Sequence, residues 1–335
     1  MTNRERFLSV FDFKPVDRMP AIELMVWWDK TRSRWESEGL PNLAVFGNAI
    51  GAYWKLDDHR QFGVASETMD LHGHKIQETR GFIKNEEDYE RILPLIYPKD
   101  AVLDNWIEDE LLNIRDAHDA GDFPVWMTFS GYFWLPRVLF GIEPHLYSFY
   151  DYPELYHRIC RDQAEFHLRV IDDFCSVLTP DFMSFAEDMS YKHGPMISEN
   201  MFNEFIRPYY EIVIPALHKH NIKVFIDTDG DFMPMARWLL DSGADGVLPL
   251  ERRAGVDVCS LRAKYPGLLM IGGFDKTVIR FGEDAMRKEF ERLVPVMKAG
   301  GFIPSVDHQT PPDVSLENYG IYRRLQDEYC NKYHP

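Results

Sequence analysis

The chain has 335 residues, 45% hydrophobic and 27% charged, which is the composition of a soluble globular protein. Its 37 basic and 54 acidic residues give a net charge of −17 at pH 7, which argues against a nucleic-acid-binding surface. The absence of a signal-peptide core, of a membrane-length apolar run and of a Cys-x-x-Cys pair predicts a reduced, cytoplasmic protein that contacts no membrane.

The first predicted element is an amphipathic helix that begins after Thr2, a residue suited to the N-cap. Apolar, β-prone runs at residues 18–26 (RMPAIELMV) and 124–130 (PVWMTFS) predict strands. A further strand is expected within residues 44–56 (AVFGNAIGAYWKL). Residues 153–178 carry apolar side chains at helical spacing and predict one long helix.

The C-terminal half alternates short apolar runs with helical patterns. The first of these helices is predicted to begin near Ser198. This alternation indicates βα units and a parallel sheet. With the N-terminal strands it predicts an α/β fold, a (β/α)8 TIM barrel that forms a single domain over residues 1–335. The strands of this half are predicted at residues 181–188, 223–230, 245–251, 268–275 and 302–308.

These five strands all end in acidic residues or histidine. Because side chains alternate along a strand, Asp227 and Asp229 face the same way. A lone aspartate at such a position more often caps the next helix. Five such ends in succession favour a site, since clustered carboxylates repel unless a cation or a shared proton relieves them. The strand-end residues are Glu187, Asp188, Asp227, Asp229, Glu251, Asp275, Asp307 and His308.

Aromatic residues are concentrated near the ends of the early predicted strands. Most rings in such positions belong to a core. At the mouth of a barrel they would instead form an apolar pocket for a flat aromatic ligand. These residues are Trp27, Trp28, Tyr53, Trp54, Phe129, Tyr132, Phe133 and Trp134.

Four segments resemble the uroporphyrinogen decarboxylase superfamily. They are MISENMFNEFIRPYY (196–210), DTDGD (227–231), GGFDK (272–276) and HQTPPDVSLENY (308–319). The resemblance implies a (β/α)8 barrel and one of two chemistries. One is metal-free decarboxylation of a tetrapyrrole, and the other is zinc-dependent methyl transfer to or from corrinoid proteins.

The chain departs from the decarboxylase pattern at two functional positions. The basic N-terminal motif that holds the substrate carboxylates is absent, and the segment in its place supplies only Arg32 and Arg34. The position of the decarboxylase's active-site tyrosine falls on Arg137 when Gly141 is matched. A polycarboxylate substrate would be poorly held without its cationic clamp.

The chain is closer to the methyltransferase branch, whose zinc ligands are a His-x-Cys motif and a late cysteine. Those positions fall on Asp227, Asp229 and His308 here, and Glu251 would complete the set. Carboxylate and imidazole ligands suit zinc or another divalent cation. The resemblance therefore implies a divalent metal held by Asp227, Asp229, Glu251 and His308.

The resulting hypothesis is a metal-dependent methyltransferase that moves a methyl group from a small, aromatic methyl ether or a related donor to a corrinoid protein. Glu187, Asp188 and Asp229 are the predicted catalytic residues. Two alternatives remain open: a decarboxylase of a tetrapyrrole or another carboxylic acid, and a non-catalytic barrel that binds a corrinoid or porphyrin. The predicted substrate-binding residues are Trp27, Trp28, Phe129, Tyr132, Trp134 and Arg137.

Overall fold

The structure of the protein is a computed structural model that describes residues 1–25, 27–41, 49–64, 81–97 and 105–335. Within these ranges, no helix combines the length and the apolar character that crossing a membrane requires. The α-helices are α1 (Asn3–Phe11), α2 (Asp29–Ser37), α3 (Ala49–Tyr53), α4 (Glu86–Ile96), α5 (Asn105–Ala120), α6 (Trp134–Phe140), α7 (Ile142–Asp151), α8 (Pro153–Val177), α9 (Glu199–Phe205), α10 (Arg207–Lys219), α11 (Ala236–Asp241), α12 (Val258–Lys264), α13 (Glu283–Ala299) and α14 (Leu316–Lys332).

Seven parallel strands of the described chain form one sheet in the order β1-β2-β3-β6-β7-β8-β9, and β4 pairs with β5 in a separate hairpin. Three 3-10 helices follow strand ends, at Met233–Met235, Arg252–Ala254 and Lys276–Phe281. The strands are β1 (Arg60–Val64), β2 (Val125–Ser130), β3 (Phe182–Ala186), β4 (Ser190–Tyr191), β5 (Gly194–Pro195), β6 (Lys223–Asp227), β7 (Gly246–Leu248), β8 (Leu269–Phe274) and β9 (Phe302–Val306).

The sequence patterns locate most of these elements correctly. Strands β2, β3 and β6 to β9 lie inside the predicted runs, and α8 matches the predicted long helix. Thr2 caps α1 in a capping box with Glu5, and Ser198 caps α9 by accepting a hydrogen bond from the Met201 amide. The strand β1 was not predicted, because its sequence, RQFGV, mixes polar residues and a glycine with only two buried side chains.

Two predicted strands are corrected. The described part of residues 18–26 is not a strand, and residues 49–53, inside another predicted strand, form α3. Residues 44–48 of that prediction lie outside the described ranges. The carbonyl of Ala21 accepts a hydrogen bond from the Asp57 amide at 2.9 Å, and the Leu24 amide donates to Ser305 Oγ at 2.9 Å.

These contacts place residues 21–24 between the start of β1 and the edge strand β9. The two outermost strands of the sheet, β1 and β9, therefore approach one another across this segment, although it adds no strand to the described sheet. The architecture is an α/β fold whose described sheet has seven parallel strands, six of them predicted. Closure into a complete (β/α)8 barrel stays a prediction.

The buried faces of the strands form the core. Every residue of β8 and β9 is buried, which is typical of parallel strands covered on both faces. Because the seven strands run parallel, their C-terminal ends share one edge of the sheet. The acidic residues that follow the strands are brought together at this edge, called the strand-end edge below.

Candidate active site

The register of the sheet aligns the ends of β3, β6 and β7. Ala186 pairs with Asp227, and Asp227 pairs with Leu248. The amide of Glu187 donates to the Asp227 carbonyl at 2.9 Å, so the chain after β3 leaves the sheet beside β6. The residues that follow these strands therefore emerge side by side.

Asp188, Asp229 and His308 form one cluster at the strand-end edge. His308 Nε2 lies 3.3 Å from Asp229 Oδ2, and Asp188 Oδ1 accepts a hydrogen bond from the Asp229 amide at 3.5 Å. Asp188 has a φ of +48°, a left-handed conformation that is uncommon outside glycine and that turns the chain sharply after β3. The three residues are partly exposed, so a ligand can reach them.

The electrostatics of this cluster favour retention of protons. The hydrogen bond to Asp229 raises the pKa of His308 above its ordinary value, against the opposing effect of burial. Burial and the neighbouring Asp229 raise the pKa of Asp188, while Arg137 and His308 act in the opposite direction. Burial, then Asp188 and Asp229, raise the pKa of Asp227 well above the usual range of a carboxyl group. Shared protons relieve the repulsion among these acids.

A lysine relieves the repulsion at the other strand ends. Lys276 Nζ lies 3.3 Å from Glu251 Oε1 and 3.5 Å from Asp307 Oδ1, and the lysine side chain is 16% exposed. Asp307 is buried and also accepts hydrogen bonds from the amides of Lys276 and Arg252. Burial raises the pKa of Asp307 to about 6, with Lys276 lowering it. Lys276 thus joins β7, β8 and β9 electrostatically.

The four predicted metal ligands do not converge. Asp229 contacts His308, but Glu251 is held by Lys276 and by the Gly230 amide at 2.9 Å. Within the described ranges, no group of three or more His, Cys, Asp or Glu side chains is arranged to hold a metal ion. The donor set in this arrangement does not fit a zinc centre, because the ammonium of Lys276 lies against one of the four ligands. The zinc prediction therefore rests on the resemblance alone.

Glu187 is buried beside the start of α6 and has a structural role. It is 1% exposed; Oε1 accepts from the Tyr132 amide at 2.8 Å and from the Tyr210 hydroxyl, and Oε2 accepts from the amides of Phe133 and Trp134 at 2.7 and 3.2 Å. The carboxyl group thereby satisfies the free amides at the start of α6. Burial raises the pKa of Glu187 to about 7, and the hydrogen bonds oppose this rise.

Glycine is required where Glu187 approaches the end of β2. A Cβ atom on Gly131 would lie 1.9 Å from the Glu187 Cδ atom. The predicted catalytic role of Glu187 is therefore corrected: its oxygens bind the protein's own donors instead of facing a ligand. Asp275 likewise acts as a cap, accepting from the Thr277 amide at 2.9 Å, which is the ordinary function of an aspartate after a strand.

Arg137 projects from α6 at the strand-end edge. Its guanidinium carbon lies 5.0 Å from the centroid of the Trp134 ring, in a cation–π contact. Its positive charge lowers the pKa of Asp188, so the two side chains are electrostatic neighbours. The structure thus brings Trp134 and Arg137, both predicted to bind substrate, to the same place.

The other predicted pocket residues separate into two groups. Phe129 and Tyr132 are fully buried, with Phe129 stacked on His167 at 4.2 Å and the Tyr132 hydroxyl 3.2 Å from His167 Nδ1. They are core residues, and their predicted role in a pocket is corrected. Trp27 and Trp28 line a cavity of about 1070 Å³, whose wall also includes Gln309, the residue after His308.

Lys276 and Gly131 were not predicted from the sequence. Lys276 directly follows Asp275 in the GGFDK segment, and its position one residue beyond a strand end was the available signal. Gly131 gave no signal, since its requirement comes from Glu187, 56 positions later in the chain.

Comparisons with known proteins agree with the fold and define a family. The model of the family described as uroporphyrinogen decarboxylase (URO-D) matches residues 112–329, more than half of the chain. A methyltransferase from Methanosarcina mazei has a similar structure, with a TM-score of 0.67 and 15% sequence identity over 98% of this chain and 99% of the other.

A second solved structure is a putative vitamin-B12 independent methionine synthase from Listeria monocytogenes, with a TM-score of 0.46 and 13% identity over 95% of this chain and 98% of that one. No functionally curated protein matches the sequence. The family match runs from within α5 to within α14 and includes every strand end described above except that of β1. This chain belongs to the uroporphyrinogen decarboxylase (URO-D) family.

Proposed function

We propose that this protein is a methyltransferase that moves a methyl group from a small methyl ether to a corrinoid protein. The observation that carries the proposal is the partly exposed cluster of Asp188, Asp229 and His308 at the strand-end edge. Its groups can hold and release a proton beside a bound ether. The fold shared with the Methanosarcina mazei methyltransferase supports a methyltransferase function.

The cluster would act on the leaving oxygen. A reduced corrinoid carried by a partner protein would supply the nucleophile that accepts the methyl group. As the methyl–oxygen bond breaks, negative charge develops on the oxygen, and a positioned acid stabilises it by donating a proton. Asp188 and His308 are the candidate donors, and Asp229 orients the imidazole of His308.

Glu187 has no part in this proposal, and no step depends on a metal. The carboxylate of Glu187 is occupied at the start of α6. Lys276 supplies the positive charge beside Glu251 and Asp307. With the corrinoid as methyl acceptor, the cluster has only to supply a proton to the leaving oxygen.

The charge distribution disfavours decarboxylation of a tetrapyrrole. Arg32 pairs with Asp29 at 2.5 Å, and Arg34 pairs with Glu38 at 2.7 Å. The two arginines nearest the position of the decarboxylase's basic motif are therefore engaged within the protein. A substrate with several carboxylates needs several available cations.

The test is a methyl-transfer assay. Purified protein is incubated with reduced cobalamin and a series of methoxybenzenes, and formation of methylcobalamin is followed by its absorption spectrum. The proposal expects protein-dependent methylation of the corrinoid. Conversion of uroporphyrinogen by the same preparation, without methyl transfer from any donor, would establish the decarboxylase alternative.

A further inference from the structure

Arg137 is a half-buried cation for which the structure gives no hydrogen bond or ion pair of its guanidinium group within the described residues. Other arginines at the strand-end edge are engaged, since Arg252 lies 3.5 Å from Asp257 and Arg253 lies 2.9 Å from Asp275. The charge of Arg137 acts on Asp188, but the two groups do not form an ion pair. Its fork of N–H donors is thus available to a ligand.

The position of Arg137 is fixed from two sides. Its backbone amide donates to the Phe133 carbonyl at 3.2 Å within the first turn of α6, and Glu187 holds the start of that helix. The guanidinium lies over the Trp134 ring, which restricts the plane of the fork. A fork restricted in this way loses little freedom when it binds, and this favours a ligand with matching geometry.

We propose that Arg137 binds a carboxylate of the methyl donor, so that the donor is a small methyl ether with one carboxylate group. This inference rests on the proposed function and adds the substrate class to it. A planar guanidinium pairs with a carboxylate through two parallel N–H···O hydrogen bonds. One available arginine suits one carboxylate, in contrast to the polycarboxylates of tetrapyrroles.

The surrounding charges orient such a donor. Asp229 would repel its carboxylate, so the negative end lies at Arg137 and away from this acid. The neutral ether end is then directed towards Asp188 and His308. Arg137 is therefore the residue that selects and orients the substrate, and the acidic cluster acts on the ether oxygen.

The experiment measures binding without any corrinoid. Benzoate and its neutral isostere benzamide are titrated into the protein by calorimetry. We expect benzoate to bind at least about 10-fold more tightly than benzamide, in line with a charge-assisted pair of hydrogen bonds. Arg137→Met should abolish this preference, and Arg137→Lys, which keeps the charge but not the fork, should restore part of it.

The matched control is Arg237→Met, which removes an exposed arginine that pairs with Asp241 within α11 and lies outside the site. It should bind benzoate as the unmodified protein does. Equal binding of benzoate and benzamide, no measurable binding of benzoate, or unchanged benzoate binding in Arg137→Met would each overturn the inference. Should Arg137→Met fail to fold, Arg137→Lys tests the inference instead. Its preference for benzoate over benzamide must be weaker than that of the unmodified protein.

A kinetic comparison separates this inference from the proposed function. With methoxybenzoate as donor, Arg137→Met should raise KM at least about 10-fold, whereas methoxybenzene should show no such change. Arginine-dependent benzoate binding without methyl transfer from either ether would overturn the proposed function and leave the carboxylate site established. Methyl transfer with the same KM for methoxybenzoate and methoxybenzene would support the proposed function and overturn the carboxylate site.

Discussion

His308 Nε2 and Asp229 Oδ2 lie 3.3 Å apart, although His308 follows β9 and Asp229 follows β6, and two strands separate β6 from β9 in the sheet. The two side chains therefore meet above the C-terminal ends of the strands, although β6 and β9 are not hydrogen-bonded neighbours in the sheet. Their contact joins β6 to β9 directly above these ends. A reacting group held there is reached by residues from both strands.

The first prediction concerns this pair. His308→Gln and Asp229→Asn should each lower kcat for methyl transfer by about 100-fold or more, the usual contribution of a positioned acid or base. Because the two residues act as one unit, the double variant should be little slower than either single variant. The measurement is the rate of methylcobalamin formation at saturating methyl donor.

The control for the first prediction is another histidine–aspartate pair. His218, in the last turn of α10, has its Nε2 atom 2.8 Å from Oδ2 of Asp245, which directly precedes β7 and lies at the N-terminal ends of the strands. His218→Gln should leave kcat unchanged. An equal loss of rate in His218→Gln and His308→Gln would show that these losses report on folding instead of chemistry.

The second prediction concerns Lys276. Its replacement by Met leaves Asp307 buried without its cation, and we expect a loss of about 3 kcal/mol in the free energy of unfolding. Chemical denaturation measures this loss. The matched control is Lys298→Met on α13, whose ammonium lies over the Tyr333 ring and should contribute much less.

The zinc content of the purified protein tests the charge balance of the site. With Lys276 in place, we expect purified protein to contain much less than one equivalent of zinc, because the ammonium already lies against Glu251. Elemental analysis measures this directly. One equivalent of zinc in the unmodified protein, lost in both Asp229→Ala and His308→Ala, would instead support the metal site that the resemblance implies.

How far the sequence predicted the site depends on the range of the contacts involved. Asp188, Asp229 and His308 were identified because each lies at or just after the end of a strand, and parallel strands place their ends at one edge. The order of the strands along that edge, and the contact between β6 and β9, depend on how the sheet curls. Local patterns carry no information about that curl.

The errors have the same origin. Glu187 and Asp188 are adjacent in sequence and looked equivalent, yet Glu187 is buried against α6 while Asp188 faces the edge. The sharp turn at Asp188 separates them, and the sequence did not predict it. Phe129 and Tyr132 were assigned to a pocket because they lie near a strand end, but their rings pack on His167 from α8. Burial of a ring is decided by the helix that covers it.

The third prediction concerns the pH dependence of stability. The pKa of Glu187 is raised from 4.5 to about 7 in the folded protein, so the folded state holds this proton more tightly than the unfolded state. The contribution of Glu187 is therefore fully present below pH 4.5 and is lost as the pH rises to about 7. The expected loss is on the order of 3 kcal/mol.

Comparison with Glu187→Gln isolates this contribution from that of other carboxyl groups. The variant should be less stable at pH 4.5, and the difference in the free energy of unfolding should become smaller as the pH approaches 7. Urea denaturation at several pH values measures both curves. A difference that grows with pH would mean that Glu187 is ionised throughout and held by its four hydrogen bonds.

The fourth prediction concerns Gly131. Its replacement by Ala places a methyl group where the Glu187 carboxyl group now lies, 1.9 Å from the Glu187 Cδ atom. Glu187 must then move, and the amides at the start of α6 lose their acceptor. We expect a loss of about 1–3 kcal/mol from the overpacked site, measured by chemical denaturation.

The displacement should also reach the substrate. Because Trp134 and Arg137 both lie on α6, a shift at its first turn changes the position of the guanidinium, and benzoate binding should weaken at least about 10-fold. Gly267→Ala is the control, since an added Cβ there meets no atom within 4 Å. Benzoate binding that survives in Gly131→Ala, despite the loss of stability, would show that Glu187 holds the helix without positioning Arg137.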